Sequence, residues 1–166
     1  GTLFLDEVSD IPETMQIKLL RVLQSGEFER VGSTKTIQTD VRLVCATNKN
    51  LKEQVFAGLF REDLFYRINV ILLEIPPLRE RPEDIPLLIQ HYLKFFSIRN
   101  RKKIEKITPE ALSLLSKYTW PGNVRELKNV IERMVVLSHL NVIDAEQIPE
   151  DIKGGKKLLV ARPTQT

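Results

Sequence analysis

Cysteine is nearly absent: Cys45 stands alone, so the chain can form no disulfide within itself, and a reducing, cytoplasmic setting fits it best. Histidine is almost as scarce. His91 and His139 lie far apart with no partner at ligand spacing, which argues against zinc. Long apolar runs are missing too; stretches such as Val70 to Leu73 are far too short to span a membrane. The opening residues, Gly1-Thr2-Leu3-Phe4-Leu5-Asp6, lack the charged and apolar regions of an export signal. The net charge of +3 is too small to argue for nucleic acid by itself. There is no internal repeat, no Gly-x-Ser-x-Gly elbow and no Gly-x-x-x-x-Gly-Lys-Ser/Thr phosphate loop. Gly154-Gly155-Lys156-Lys157 lacks the spacing, the preceding strand and the hydroxyl of such a loop. Against these absences, hydrophobic residues make up 42% of 166, enough for a packed core in one domain or slightly more.

The hydrophobic pattern divides the chain. Leu3-Phe4-Leu5 reads as a buried strand that stops at Asp6 and Glu7. Asp10 with Glu13 resembles a capping box, Pro12 suits a first helical turn, and Met15, Leu19, Val22 and Leu23 keep helical spacing up to Gly26. Val41 to Ala46 is a second buried strand, ended by Thr47-Asn48. Leu51 to Tyr66 is helical in pieces, broken near Gly58. Ile68 to Ile75 reads as a third strand, closed by Pro76-Pro77. Beyond the prolines the pattern is helix only. Ile85, Leu88, Ile89, Tyr92 and Phe96 form one stripe, and Thr108-Pro109 opens a helix to about Tyr118. Asn123-Val124-Arg125-Glu126 is a second capping-box pattern, with Val124, Leu127, Ile131 and Met134 on the inner face that follows. The expected organisation is therefore an α/β part over 1–76, a helical part over 77–152 and a linker or tail over 153–166.

Several polar residues stand where chemistry can be done. In open α/β sheets ligands bind beyond the carboxyl ends of the strands. An Asp there, as at Asp6, can hold magnesium through water, and a following acid, as at Glu7, can deprotonate an attacking water. Both could equally begin a turn. Thr47 and Asn48 end the second strand and could sense a γ-phosphate or merely cap a helix. Arg61 and Arg67 flank Glu62-Asp63-Leu64-Phe65-Tyr66, and on a helix six residues would set them about 120° apart. Either could clamp a phosphoryl group or pair with Glu62 or Asp63. Arg125 falls in the first turn of a helix, where the dipole favours an anion, so Arg125 with that helix end makes a phosphate site; pairing with Glu126 or Glu132 is the alternative.

Taken in order, these segments resemble the AAA+ ATPase domain of NtrC-like, sigma-54-dependent bacterial enhancer-binding proteins. Gly1-Thr2-Leu3-Phe4-Leu5-Asp6-Glu7 looks like the Walker B segment, and Gly26-Glu27-Phe28-Glu29-Arg30-Val31-Gly32-Ser33 looks like the second surface loop, with Ser33 where the family usually has glycine. Cys45-Ala46-Thr47-Asn48 resembles sensor I, and Phe60-Arg61-Glu62-Asp63-Leu64-Phe65-Tyr66-Arg67 the arginine-finger segment. Pro76-Pro77-Leu78-Arg79-Glu80-Arg81 resembles the hinge into the lid, and Trp120-Pro121-Gly122-Asn123-Val124-Arg125-Glu126-Leu127 sensor II. The resemblance runs from Gly1 to about Ile152. It implies the C-terminal part of an AAA+ parallel-sheet nucleotide-binding domain followed by an all-α lid.

The resemblance further implies ATP and Mg2+ as cofactors, with magnesium held by Asp6, water polarised by Glu7 and the γ-phosphate sensed by Thr47 and Asn48. Arg61 and Arg67 would reach the adjacent subunit's nucleotide, Arg67 being the favoured finger, and Arg125 would contact the nucleotide of its own subunit. The implied partners are sigma-54 RNA polymerase, met by the Arg30-Val31-Gly32 loop and by an upstream loop, a hexameric or heptameric ring of like subunits, and DNA through a C-terminal helix-turn-helix domain. The phosphate loop, the upstream loop and the regulatory and DNA-binding domains are not in these residues, so a fragment that binds ATP weakly or not at all, and is inactive alone, is expected. The family's strand order of 5-1-4-3-2 would leave a slot between the second and third strands here, closed by slippage, by a partner chain or by Leu158-Leu159-Val160. The rival readings are a non-catalytic assembly module, a different AAA+ machine such as a helicase loader or unfoldase, and a nucleic-acid binder using Arg99, Arg101, Lys102, Lys103 and Lys106 around Asn100. The double-proline hinge and the Arg30-Val31-Gly32 loop disfavour the other machine, and a basic run is more often a solvated face.

Overall fold

The computed structural model describes residues 1–154. The chain forms two compact units, Gly1–Leu73 and Glu74–Thr166. In the first, β1 (Thr2–Leu5) leads through a 3-10 turn (Val8–Asp10) into α1 (Glu13–Ser25). A short hairpin of β2 (Glu27–Glu29) and β3 (Thr36–Gln38) follows, then β4 (Arg42–Cys45), α2 (Leu51–Phe56) and α3 (Glu62–Ile68). β1 and β4 pair in parallel, Thr2 opposite Arg42 and Leu5 opposite Cys45. Gly26 ends α1 in the left-handed conformation, as its place after the last apolar position foretells, and a Cβ there would meet the Thr39 carbonyl at 2.9 Å.

The core of this unit is Phe60, Leu64 and Phe65, packed against Leu19, Leu20 and Leu23 of α1 and Ile68 of α3. One buried polar side chain organises it. Gln16 donates from Nε2 to the carbonyls of Ile11 (3.0 Å) and Leu59 (3.2 Å) and accepts from the Arg61 amide through Oε1 (2.8 Å). Burial of an amide is tolerable because each of these atoms has a partner.

Three expectations for this unit are corrected. The first two strands are present but not buried, with Leu3, Phe4 and Val44 exposed. Asp10 does not cap α1: Pro12 is the N-cap residue, and the Asp10 carboxylate instead pairs with the Lys49 ammonium. The expected third strand, Ile68 to Ile75, does not form. Ile68 closes α3 against the phenylalanine cluster, and residues 71–77 join no ladder. A strand is defined by its neighbour, and among the described residues none lies beside this run, which leaves Val70, Ile71, Leu72, Leu73 and Ile75 exposed. Leu158-Leu159-Val160 lies outside the described residues.

The second unit opens with a 3-10 turn (Leu78–Glu80) after the double proline. It contains α4 (Asp84–Arg99), β5 (Lys106–Ile107), α5 (Pro109–Lys117), α6 (Asn123–Leu137), β6 (Val142–Ile143), a 3-10 turn (Ala145–Gln147) and α7 (Glu150–Lys153). The expected helices are present, with a two-residue parallel ladder of β5 and β6 added. Ile85, Ile89, Leu93 and Phe96 of α4 meet Leu127, Ile131, Met134 and Val135 of α6 in one core around fully buried Trp120. Thr108 caps α5 from its side chain with Pro109 at the first helical position.

The end of α4 departs from the usual residue preference. The Lys102 amide donates to the Ser97 carbonyl (2.9 Å) and the Arg101 amide to the Ile98 carbonyl (3.2 Å), the paired bonds of a Schellman cap. Arg101 occupies the left-handed position (φ 54°) that favours glycine, at a cost of about 1 kcal/mol.

Candidate functional site

Because β1 and β4 run in the same direction with Leu5 opposite Cys45, the residues that follow each strand leave the sheet at one edge. Ala46 fixes that edge. Its amide donates to the Leu5 carbonyl (2.8 Å) and its carbonyl accepts from the Val8 amide (3.0 Å), so Asp6 and Glu7 project as a two-residue step between bonded anchors. Val8 is fully buried, which holds the base of the step. Glu7 is left-handed (φ 52°), and its amide donates to Asp6 Oδ1 (3.0 Å). Both carboxylates are exposed.

Thr47 and Asn48 arrive at the same edge in different states. The Thr47 hydroxyl donates to the Ser9 hydroxyl (2.8 Å) and accepts from the Lys49 amide (3.1 Å), so it ties the end of β4 to the turn after β1. The Asn48 side chain is exposed and makes no hydrogen bond among the described residues, leaving its amide available to a ligand. No cluster of three potential metal ligands occurs among the described residues. A single carboxylate with one oxygen already accepting an amide matches a cation that keeps most of its water, the habit of magnesium. Cys45, half-buried on β4, has its thiol pushed up by burial and is not a poised nucleophile.

The two arginines differ as well. Arg61 is the N-cap residue of α3 rather than part of the helix, so the expected 120° relation does not apply. Its guanidinium forks onto Asp63 (Nε–Oδ1 3.0 Å, Nη2–Oδ2 2.7 Å), with Glu13 at 3.9 Å. That hydrogen bond holds the Asp63 carboxyl below the usual carboxylate range and raises Arg61. Arg67, in the last turn of α3, donates from Nη2 to the Leu23 carbonyl near the end of α1 (2.8 Å). It meets no carboxylate within 4.0 Å among the described residues, so most of its fork stays free.

In the second unit Arg125 is exposed in the first turn of α6, as its place in the sequence requires. The cap itself is different from the expected one. Gly122 is the N-cap residue and its amide is met by Glu126 Oε2 (2.7 Å), while Asn123 is left-handed and spends its Oδ1 on the Leu78 amide (2.8 Å). Glu126 is thereby bound to the turn, and Arg125 has no ion-pair partner among the described residues. Arg125 lines a shallow cavity of about 440 Å³ with Asn129 and Arg133, and Glu126 and Asp151 are its acids. Sequence reasoning missed Asn129 and Arg133, although their i+4 and i+8 spacing from Arg125 was a usable signal.

The Arg30-Val31-Gly32 segment is the tip of the β2–β3 hairpin. Val31 is fully exposed and Gly32 takes φ 79°, and the Ser33 amide closes the turn on the Arg30 carbonyl (3.0 Å).

Residues 1–74 match the family described as Sigma-54 interaction domain, and residues 79–162 match the family described as AAA+ ATPase lid domain. The transcriptional regulatory protein ZraR of Salmonella typhimurium is 54% identical over 149 residues, 90% of this chain and 34% of that protein. The regulatory protein AtoC of Escherichia coli is 53% identical over 153 residues, 92% of this chain and 33% of that protein. Crystal structures of NtrX from Brucella abortus superpose with TM-scores of 0.85 in complex with ADP and 0.83 in complex with ATP. They are 40% and 41% identical, and cover 93% and 92% of this chain and 36% of theirs. The chain thus spans about a third of the length of the relatives it matches. It belongs to the AAA+ ATPase family of NtrC-like, sigma-54-dependent transcriptional activators.

Proposed function

We propose that these residues are the Walker B-to-lid part of a ring-forming ATPase, divided at about residue 76, that activates transcription by remodelling sigma-54 RNA polymerase at promoters. The observation that carries the reading is the shared strand edge, where Ala46 braces Asp6 and Glu7 beside Thr47 and Asn48. Asp6 would hold magnesium through water, and magnesium, when bound, neutralises charge developing on the phosphates. Glu7 takes the proton of the attacking water. Asn48 orients that water or touches the γ-phosphate, and Thr47 holds Asn48 in place through Ser9. Arg67, with its fork mostly free, is the finger offered to the adjacent subunit's nucleotide in a hexameric or heptameric ring, and Arg61 sets its helix. Arg125 contacts the nucleotide of its own subunit, helped by Arg133. The Val31 hairpin tip meets sigma-54, and DNA is held by a helix-turn-helix domain elsewhere in such a protein.

The test is Glu7→Gln in a polypeptide that joins these residues to a phosphate loop. An amide cannot accept the proton, so ATP binding should persist while turnover falls by about 10²–10⁴. Turnover near the unaltered rate would remove Glu7 from the mechanism.

A further inference from the structure

The connection from α4 to β5 carries a charge pattern that nucleotide hydrolysis does not use. Residues 99–106 contain Arg99, Arg101, Lys102, Lys103 and Lys106 against one acid, Glu105. The structure sorts them. Lys102 is structural: its ammonium reaches the Ser138 carbonyl (2.8 Å) at the end of α6. Arg99, Arg101, Lys103 and Lys106 are exposed, and none forms an ion pair among the described residues.

The loop that bears them is anchored. Besides the Lys102 bond, the Glu105 amide donates to the Asn141 carbonyl (2.8 Å), the Thr108 amide donates to the Ile143 carbonyl (2.9 Å), and Lys106 stands opposite Val142 in the ladder. The facing segment, 138–143, contributes no acid and one histidine, His139. A cation near the end of a helix also offsets its dipole, which accounts for Arg99. It does not account for Lys103 and Lys106, which lie past the cap, or for Arg101 at a backbone position better suited to glycine.

We propose that this anchored basic loop is a docking surface for the phosphate backbone of duplex DNA, separate from the nucleotide site. Residues 97–108 include no aromatic side chain, so the loop offers no platform for stacking unpaired bases. Its one asparagine, Asn100, turns its amide back to the Phe96 carbonyl (2.9 Å), so reading of adenine by a carboxamide is not built in. What remains is four exposed cations on an anchored loop, suited to phosphates irrespective of sequence.

Fluorescence anisotropy of the 166-residue chain with a mixed-sequence DNA duplex of about 20 base pairs tests this. Four phosphate contacts give a slope of log K against log salt of about −3.6, at roughly −0.9 per phosphate. Arg101→Gly should melt no lower than the unaltered chain, yet bind the duplex about fivefold more weakly near physiological salt, with the slope reduced by roughly 0.9. Lys103→Glu with Lys106→Glu should abolish binding while Trp120 fluorescence stays native. The proposal is overturned by a slope near zero, by an affinity that neither variant lowers, or by equal affinity for poly-glutamate, which would indicate an acidic protein partner.

Discussion

Gln16 is the most demanding test of how the first unit holds its arginines. Gln16→Met keeps length and approximate volume but removes two donors and an acceptor at once. The Ile11 and Leu59 carbonyls and the Arg61 amide then lose their partners. At a net ~0.5–1.5 kcal/mol per hydrogen bond the direct loss is about 1.5–4.5 kcal/mol. Burial of the thioether in place of the amide offsets roughly 1 kcal/mol, leaving an expected destabilisation of about 0.5–3.5 kcal/mol with a central value near 2 kcal/mol. Trp120, the single tryptophan, sits in the second unit, so its fluorescence is the wrong probe. Amide hydrogen exchange is the right one. The amides of Arg61, the N-cap residue of α3, and of Leu64 and Phe65 in its first turn should exchange roughly 30-fold faster at the central value, since 1.4 kcal/mol corresponds to a factor of ten. The amides of α4 and α6 should be unchanged. Exchange at Arg61 within about threefold of the unaltered chain would refute the claim that Gln16 fixes the start of α3.

Two further outcomes follow from the same geometry. Arg67→Ala subunits and Glu7→Gln subunits, each inactive alone in a chain that carries a phosphate loop, should recover ATPase activity when mixed, because some interfaces then join an intact Glu7 to an intact Arg67. An arginine finger is worth about 10³-fold or more in related phosphoryl transfers, so mixed rings that stay inactive would exclude Arg67 from that role. Tyr118 is raised by burial, then by the nearby Glu126 and Asp151 charges and its hydrogen bond to Glu126. The neutral phenol is the form the folded state prefers, so its contribution to stability is complete below the unfolded pKa of about 10 and is lost as pH rises through the folded value. Tyr118→Phe should therefore flatten the alkaline loss of stability and remove a phenolate step above the usual tyrosine range from the absorbance titration.

Much of the fold was readable because its signals are local. Gly26, Gly58 and Thr108-Pro109 mark element ends through backbone preferences that need no distant partner, and the apolar stripe of α4 is buried as its spacing requires. The strand-end acids were equally legible, since parallel strands must deliver their following residues to one edge. The misreadings share one cause. Asp10 and Asn123 both sit in good local capping patterns, yet each is claimed by a partner far along the chain, Lys49 and Leu78 respectively. Gln16 escaped notice because a glutamine between Met15 and Ile17 looks like a solvent position until its three partners are in place. The run after Ile68 has the composition of a strand, but composition supplies no neighbour.

Strain ties these observations to function. Among the described residues four non-glycine residues adopt left-handed backbone: Glu7, Arg101, Trp120 and Asn123. Each is held there by bonds that a relaxed backbone would break. Ala46 clamps both sides of Glu7, and the Trp120 indole is buried with Nε1 donating to the Leu115 carbonyl (2.9 Å). The Asn123 side chain accepts from Leu78, and Arg101 is fixed by the paired bonds that end α4. Such residues persist only where the surroundings over-determine them, and they concentrate where a side chain must be aimed. Glu7 is the proposed base, Trp120 and Asn123 shape the turn from which Arg125 projects, and Arg101 stands in the proposed DNA-facing loop. The unfavourable conformations thus fall at three places where the proposed roles call for a fixed direction, and relaxing any one should release backbone strain while loosening the side chain it directs.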